Sequence, residues 1–273
     1  MIFDLDHPDV ARAVQNALAE DIGAGDITTE FCIPSGMLAE ARFVARQDLT
    51  LAGVELLSLL FEAPMLRKRS GDRVAAGEDF ARARGPARIL LSRERVALNF
   101  LQRLSGIATL AARFVAAVDG TGVRILDTRK TTPGLRVLEK LAAAAGGVVN
   151  HRMGLYDAVL IKNNHIRLAS GVRPAIERAR SAGKPIEIEV RTRAEIEEAL
   201  ACGAARLLLD NTTPEQASDE IRFICGRAET EISGGITLEN VRAYAEAHPD
   251  FISSGAITHS ATAVDINCGI YAL

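Results

Sequence analysis

In the second half of the chain, short apolar runs alternate with amphipathic stretches at a nearly regular spacing. VRILD (123–127), AVLIK (158–162), PIEIEV (185–190), ARLLLD (205–210), ETEIS (229–233) and FISSG (251–255) have strand length, and all but ARLLLD carry β-branched residues. Between most of them lie helical patterns such as SGVRPAIERARSAG, TRAEIEEALACG, TPEQASDEIRFICG and TLENVRAYAEAH, and the last steps from strand to strand are about twenty residues each. This alternation predicts a parallel sheet with right-handed crossovers. The number of strands and the uniformly amphipathic helices favour closure into a barrel. An open doubly wound sheet is the alternative, although no GxGxxG or Walker-type motif marks a nucleotide half.

The first hundred residues read differently. Pro8 opens a helical pattern with Val10, Val14 and Leu18 on one face. LAEARFVARQDLTL (38–51) alternates like strands, GVELLSLLFE suggests a helix, and RKRSGDRVAAGEDFARARGP reads as short strands punctuated by glycine. Residues 86–118 predict one or two helices with a break at Ser105-Gly106. An α+β unit therefore precedes the α/β one.

Composition narrows the function classes. The 273 residues are 48% hydrophobic and 25% charged with a net charge of −3, an ordinary balance that argues against a dedicated nucleic-acid binder. Trp is absent and aromatics are few, so base-stacking platforms are not expected. No apolar run is long enough to span a bilayer, and MIFDLDHPDVARAVQNALAED carries acids where a secretory leader needs cations. Cys32, Cys202, Cys225 and Cys268 are scattered without metal-ligand spacing and read as reduced thiols packed as small hydrophobes. A cytoplasmic protein is expected.

Chemistry is concentrated at the strand ends. Asp127-Thr128-Arg129-Lys130, Lys162-Asn163-Asn164-His165, Glu189-Val190-Arg191, Asp210-Asn211, Glu231-Ile232-Ser233-Gly234-Gly235 and Ser253-Ser254-Gly255 all follow apolar runs. In a β/α barrel these ends meet at one mouth. Arg129, Lys130, His151, Arg152 and Lys162 would make that mouth cationic inside an acidic chain, which calls for an anionic ligand. Glu187, Glu189 and Asp210 oppose them, with 187 and 189 on one face of PIEIEV. Acids beside a polyanion site fit a hard divalent cation carried with phosphate. The glycines of the SGG and SGA turns suit phosphate capture by backbone N–H groups. Arg136, Lys140, Arg173 and Arg178 read as exposed helix charges, and His7 and His248 as cap or surface residues.

EDIGAGDITTE, ERVALNFLQRLSGIAT, LDTRKTTPGLRVLEK, NHRMGLYDAVLIKNNHI, IEIEV, LLLDN, ISGGITLENV and GAITHS together resemble the quinolinate phosphoribosyltransferase family of NAD biosynthesis, in the family's order and over essentially the whole chain. The resemblance implies an α/β fold, with an N-terminal α/β sandwich over residues 1–105 and an open α/β barrel of about seven strands over 106–262. The tail 263–273 would return to the sandwich. It implies the substrates quinolinate and 5-phosphoribosyl-1-pyrophosphate, Mg²⁺ as cofactor, and a homodimer or hexamer. Thr128, Arg129, His151, Arg152 and Lys162 would hold the quinolinate, joined by Arg95 of a neighbouring subunit. Lys130 would reach both substrates. Glu189 and Asp210 would face the ribose and the Mg²⁺–pyrophosphate, so that Lys130, Glu189 and Asp210 form the catalytic set. Ser233, Gly234, Gly235, Ser254, Gly255 and Ala256 would cradle the 5-phosphate, with His259 close by.

Two positions depart from the family's pattern. Asn163 and Arg191 stand where the family usually has Asp. The competing readings are a Schiff-base barrel using Lys162 or Lys130, the molybdenum-transport-associated paralogue of the same fold, and a silent binding protein.

Overall fold

The computed structural model describes residues 5–273. The chain forms two compact units: residues up to Ala112 with Thr131–Gly147 and Ile257–Leu273, and Arg113–Lys130 with Val148–Ala256.

The first unit opens with helix α1 (Pro8–Ile22), whose N-terminal Asp9 N–H donates to His7 Nδ1 at 3.2 Å. Helix α2 (Ile27–Cys32) follows, capped by Asp26, which accepts from Thr29 N at 3.0 Å. The strands are β1 (Leu38–Ala45), β2 (Leu49–Thr50), β3 (Met65–Leu66), β4 (Arg73–Val74) and β5 (Asp79–Pro86), with the short helix α3 (Leu57–Leu60) after β2. β1 pairs antiparallel with β5, β5 with β3, and β2 with β4 in a separate ribbon. Alternation in β1 sends Ala39, Ala41, Phe43 and Ala45 into the core.

Residues 87–117 form one uninterrupted helix of 31 residues, α4 (Ala87–Ala117). The break expected at Ser105-Gly106 is absent, and both residues have a packing role instead. Ser105 is buried and its hydroxyl accepts from Ala52 N at 3.0 Å. A Cβ on Gly106 would stand 2.2 Å from the carbonyl oxygen of Thr262. Glycine is there to admit another backbone, and the helix tolerates it because the i→i−4 ladder needs no side chain. Gly106→Ala is therefore expected to destabilise by about 2 kcal/mol, since overpacking outweighs the roughly 1 kcal/mol gained in helix propensity. Denaturant unfolding measures this, and an unchanged or raised midpoint would refute the packing role.

Helix α5 (Arg136–Ala145) buries Leu138, Glu139, Lys140, Ala142 and Ala143. Lys140 is fully buried rather than an exposed charge, because neighbours cover this helix on more than one side. Arg136 is half-buried and donates to Thr131 Oγ1 at 3.1 Å. Arg173 and Arg178 are exposed as expected. Glu139 accepts from Arg103 Nη2 at 2.9 Å and from Thr132 Oγ1 at 2.7 Å, and Arg103 also donates to the carbonyls of Thr258 and Ala261. One buried ion pair thus ties the TTPG loop to the segment that follows Ala256.

The second unit is a parallel sheet of β6 (Arg124–Leu126), β7 (Val159–Ile161), β8 (Ile186–Val190), β9 (Arg206–Asp210), β10 (Glu229–Ser233) and β11 (Phe251–Ser253). The spatial order is β6-β11-β10-β9-β8-β7. The first strand lies beside the last and the order never reverses, which is barrel topology and excludes the doubly wound alternative. Val149 bridges to Leu126 in parallel on the free side of β6, a vestige of a seventh strand at the opening. Helices α6 (Asn163–Ala169), α7 (Val172–Ala179), α8 (Arg193–Ala201), α9 (Pro214–Ile224) and α10 (Val241–Ala245) lie between or after the strands.

The chain then returns to the first unit through α11 (Ala256–His259) and β12 (Ile266–Ala272). β12 pairs antiparallel with β1 from Ala39↔Ala272 to Ala45↔Ile266. All four cysteines are free thiols; Cys202 is buried, whereas Cys32 and Cys225 are exposed. Among the described residues no helix is long and apolar enough to cross a membrane.

Candidate active site

Strand register decides which polar side chains meet. Glu189 pairs with Leu208, which pairs with Glu231, so these three share one face with Glu187, Asp210 and Ser233. The opposite face carries Ile188, Val190, Leu207, Leu209, Ile232 and Ile252, all buried. Acids on the polar face thus line up toward the carboxyl ends of the strands. Phe251 belongs to the same face and is stacked by the guanidiniums of Arg124 and Arg206 at 4.1 and 4.0 Å.

Low on that face His151 meets two carboxylates. Its Nε2 lies 3.3 Å from Glu187 and 3.6 Å from Glu231, while Nδ1 accepts from Arg152 N at 2.7 Å. Both ring nitrogens are engaged by the protein, so a substrate carboxylate would have to displace one partner to reach the ring. The loop that carries His151 is held by Asp127, which is fully buried and accepts from His151 N at 2.8 Å and Asn150 Nδ2 at 2.6 Å.

Burial, then the adjacent Glu187 charge, pushes Glu231 well above the ordinary value of 4.5. Burial acts on Glu187 in the same direction, but the hydrogen bond and charge of His151 outweigh it and hold that carboxyl below the ordinary value. Glu231 is thus the proton-bearing member. A carboxyl raised on folding stabilises fully below its unfolded value, and that contribution is lost as pH rises toward the folded one. Glu231→Gln is therefore expected to gain stability relative to wild type above about pH 4.5, by up to about 1.4 kcal/mol per pH unit. Thermal melts of both proteins from pH 4 to 8 measure the difference. A gap that stays constant or closes with pH would refute it.

The cations come from the neighbouring segments: Arg129 and Lys130 after β6, Arg152 after His151, and Lys162 after β7. Burial first, and Arg129 second, lower Arg152 from its ordinary value, which puts the two guanidiniums within electrostatic reach of each other. Arg152 Nη1 donates to the carbonyl of Ala158 at 3.2 Å, just before β7. The turn in between is closed by Asp157, which accepts from Met153 N and Gly154 N. Lys162 follows β7 as the exposed N-cap of α6, its N–H donating to His165 Nδ1 at 2.9 Å, so that His165 closes the first turn of that helix. Lys130 is exposed and its N–H donates to Thr128 Oγ1 at 3.1 Å, which shapes the TRK turn.

Glu189 is buried, and its carboxyl is raised by that burial and by the charge of Asp210, against Arg191 and Lys162. Arg191 Nη2 is 3.1 Å from Glu189 and 3.5 Å from Asp210. The expected phosphate loops follow β10 and β11. Gly234 has φ +98°, and a Cβ there would meet Asn211 Oδ1 at 2.4 Å, so only glycine fits. Ser254 is buried: its hydroxyl donates to the Ile236 carbonyl at 2.7 Å and accepts from Ala256 N at 3.2 Å. Its side chain therefore joins the SGGI and SGA loops and is not presented to a ligand.

Arg95 and His259 belong to the first unit. Arg95 is exposed on α4, and His259 Nδ1 lies 2.7 Å from Ser260 Oγ. Sequence reasoning assigned no role to Asp127, Asp157 or Asn211. Each holds a turn that carries a site residue; Asp127 was signalled by the TRK cations beside it, whereas Asp157 and Asn211 have no such local signal.

Two family models match the chain: the N-terminal domain of quinolinate phosphoribosyl transferase over residues 26–105 and its C-terminal domain over 107–268. The chain is 40% identical over 275 residues to a probable carboxylating nicotinate-nucleotide pyrophosphorylase of Bacillus subtilis, covering 97% of this chain and 95% of that one. It is 40% identical over 294 residues to a decarboxylating quinolinate phosphoribosyltransferase of Nicotiana tabacum, covering 97% and 83%. The solved NadC structure from Streptococcus pyogenes superposes with a TM-score of 0.93 at 37% identity, covering 99% of each chain.

Proposed function

Since the chain belongs to the quinolinate phosphoribosyl transferase family, we infer how its residues divide the labour of that family's reaction. The enzyme is a pentosyltransferase of de novo NAD biosynthesis. It joins quinolinate to 5-phosphoribosyl-1-pyrophosphate, releasing pyrophosphate and CO₂ and leaving nicotinate mononucleotide. The proximity of Arg129 and Arg152 carries the assignment of the quinolinate subsite. A half-buried guanidinium with the charge of a second one beside it gains most from a ligand with two carboxylates.

In this reading Arg129, Arg152 and Lys162 grip the quinolinate carboxylates, with Thr128 in the same turn. His151 supports them from below through Glu187 and Glu231. The grip matters because the pyridine nitrogen is a weak nucleophile that must be held in line with the anomeric carbon; such orientation is worth up to about 7–11 kcal/mol. As pyrophosphate departs, positive charge grows on the ribose ring, and Glu189 and Asp210 face it. Lys130 meets the charge that accumulates on the leaving group. Once the nitrogen is glycosylated it is cationic, and the neighbouring carboxylate leaves as CO₂ because the carbanion left behind is stabilised by that charge; the ring carbon then takes a proton from water to give the mononucleotide.

The backbone around Ser233, Gly234, Gly235, Gly255 and Ala256 receives the 5-phosphate, with Ser254 bracing the two loops. Glu189 and Asp210 offer hard oxygen ligands, one or two of which suffice when substrate phosphates complete the shell, and this donor set fits Mg²⁺. When bound, the ion neutralises pyrophosphate charge. We place the enzyme in the cytoplasm, as its free thiols suit, and assemble it as a homodimer in which exposed Arg95 serves the partner's site. Exposed Ile27, Phe31 and Leu38 in the first unit support an interface there.

Incubation with quinolinate, the pyrophosphate donor and Mg²⁺ is expected to yield nicotinate mononucleotide and CO₂ in equal amounts. Nicotinate in place of quinolinate should yield none. Failure to turn over quinolinate, or equal use of nicotinate, would overturn the assignment.

A further inference from the structure

Arg191 is the cation least explained by the reaction. It follows β8 directly, and its side chain is 49% exposed. Its guanidinium nevertheless sits at the boundary of two depressions. One, of about 400 Å³, is lined by Arg191, Asp210, Asn211, Thr212, Gln216 and Glu220. The other, of about 250 Å³, includes Arg191, Glu189, Asn163 and Glu195. The guanidinium reaches Glu189 at 3.1 Å and Asp210 at 3.5 Å, between the two carboxylates that an Mg²⁺ ion would approach. Its backbone is fixed as well, because Arg191 N donates to Glu195 Oε2 at 2.8 Å in the first turn of α8.

Charge makes the consequence concrete. Glu189 and Asp210 ionised present two negative charges within reach of one guanidinium. A guanidinium between them leaves one net negative charge and occupies acceptor positions that a metal would use. A divalent ion arriving alone must displace that fork or share the site with it, and like charges a few ångströms apart repel. An ion arriving on pyrophosphate brings oxygens of its own, and those anionic oxygens offer Arg191 a new partner.

We propose that Arg191 is the resident counter-ion of the Glu189–Asp210 pair: it suppresses binding of free divalent metal and turns to the pyrophosphate when donor and metal arrive together. Arg191 is thereby a specificity-determining residue for the form in which the metal enters. This rests on the reading of Glu189 and Asp210 as the acids that face the metal-bearing donor.

The test uses the intact enzyme without substrates and Mn²⁺ alone as the probe, with free ion counted by its electron paramagnetic resonance signal. Arg191→Ala is expected to bind Mn²⁺ about tenfold more tightly than wild type, the size expected when one nearby positive charge is removed at a solvent-exposed site. Arg191→Asp should bind it more tightly still. Adding Glu189→Gln to Arg191→Ala should abolish the gain. Equal Mn²⁺ affinity of wild type and Arg191→Ala, or a gain that survives Glu189→Gln, would overturn the proposal. Turnover of quinolinate by the wild-type enzyme separates the two levels. With turnover intact and Mn²⁺ affinities equal, only the counter-ion role fails; with no turnover, the reading of the site fails first.

Discussion

Replacing Arg152 with alanine is expected to raise KM for quinolinate by about 100-fold or more while the fold stays intact. The guanidinium is half-buried and anchored by the Ala158 carbonyl, and Arg129 stands close enough to lower it from its ordinary value. A site like this holds mutual repulsion in the empty enzyme and releases it when a dianion binds. Truncating one partner of a desolvated charge pair costs about 2–5 kcal/mol, which is roughly 30- to 5,000-fold in binding. Stability should not fall in parallel, because the deletion also removes the repulsion from Arg129. Arg152→Lys should lie between the two, keeping the charge but losing the planar fork. Steady-state kinetics with quinolinate varied, beside thermal melts, test this. A KM within about threefold of wild type would remove Arg152 from the quinolinate subsite, and a collapsed melting temperature with normal KM would make its role structural.

The second large effect is expected on kcat. Lys130→Ala should lower kcat by about 100- to 1,000-fold, the cost typical of deleting one group aimed at charge that develops in the transition state. Quinolinate affinity should change far less. Lys130 is exposed at the end of the TRK turn, and its backbone is positioned by Thr128 Oγ1, so the deletion leaves the turn itself in place. The contrast between the variants is diagnostic: a binding cation acts on KM, a leaving-group cation on kcat. An equal rise in quinolinate KM in both would mean that Lys130 belongs to the same clamp and leaves pyrophosphate departure to other groups.

Much of this site could be read along the chain because strands impose a period of two. IEIEV puts Glu187 and Glu189 on one face whatever the fold does, and the apolar runs announce six strands whose carboxyl ends carry polar residues. Other features were out of reach of any local pattern. The Ser105-Gly106 pair has the composition of a break and lies inside a continuous helix, because what decides Gly106 is the carbonyl of Thr262 more than a hundred and fifty residues away. Lys140 looks like a solvated helix charge and is buried, because the wheel of one helix does not record how many neighbours surround it. His151 reads as a substrate cation, yet both of its ring nitrogens face partners within the protein. Ser254 reads as a phosphate ligand and spends its hydroxyl on Ile236 and Ala256.

The sequence alone therefore determined the elements, their polar ends and the chemical class of the ligand, since periodicity and residue type are local properties. The tertiary structure decided the partners. Folding brought Glu187 and Glu231 to one histidine, set Val149 beside β6, and laid Arg191 at the end of β8 between two acids. Hydrogen bonds and ion pairs depend on a few ångströms between residues far apart in the chain, and only the folded packing sets those distances.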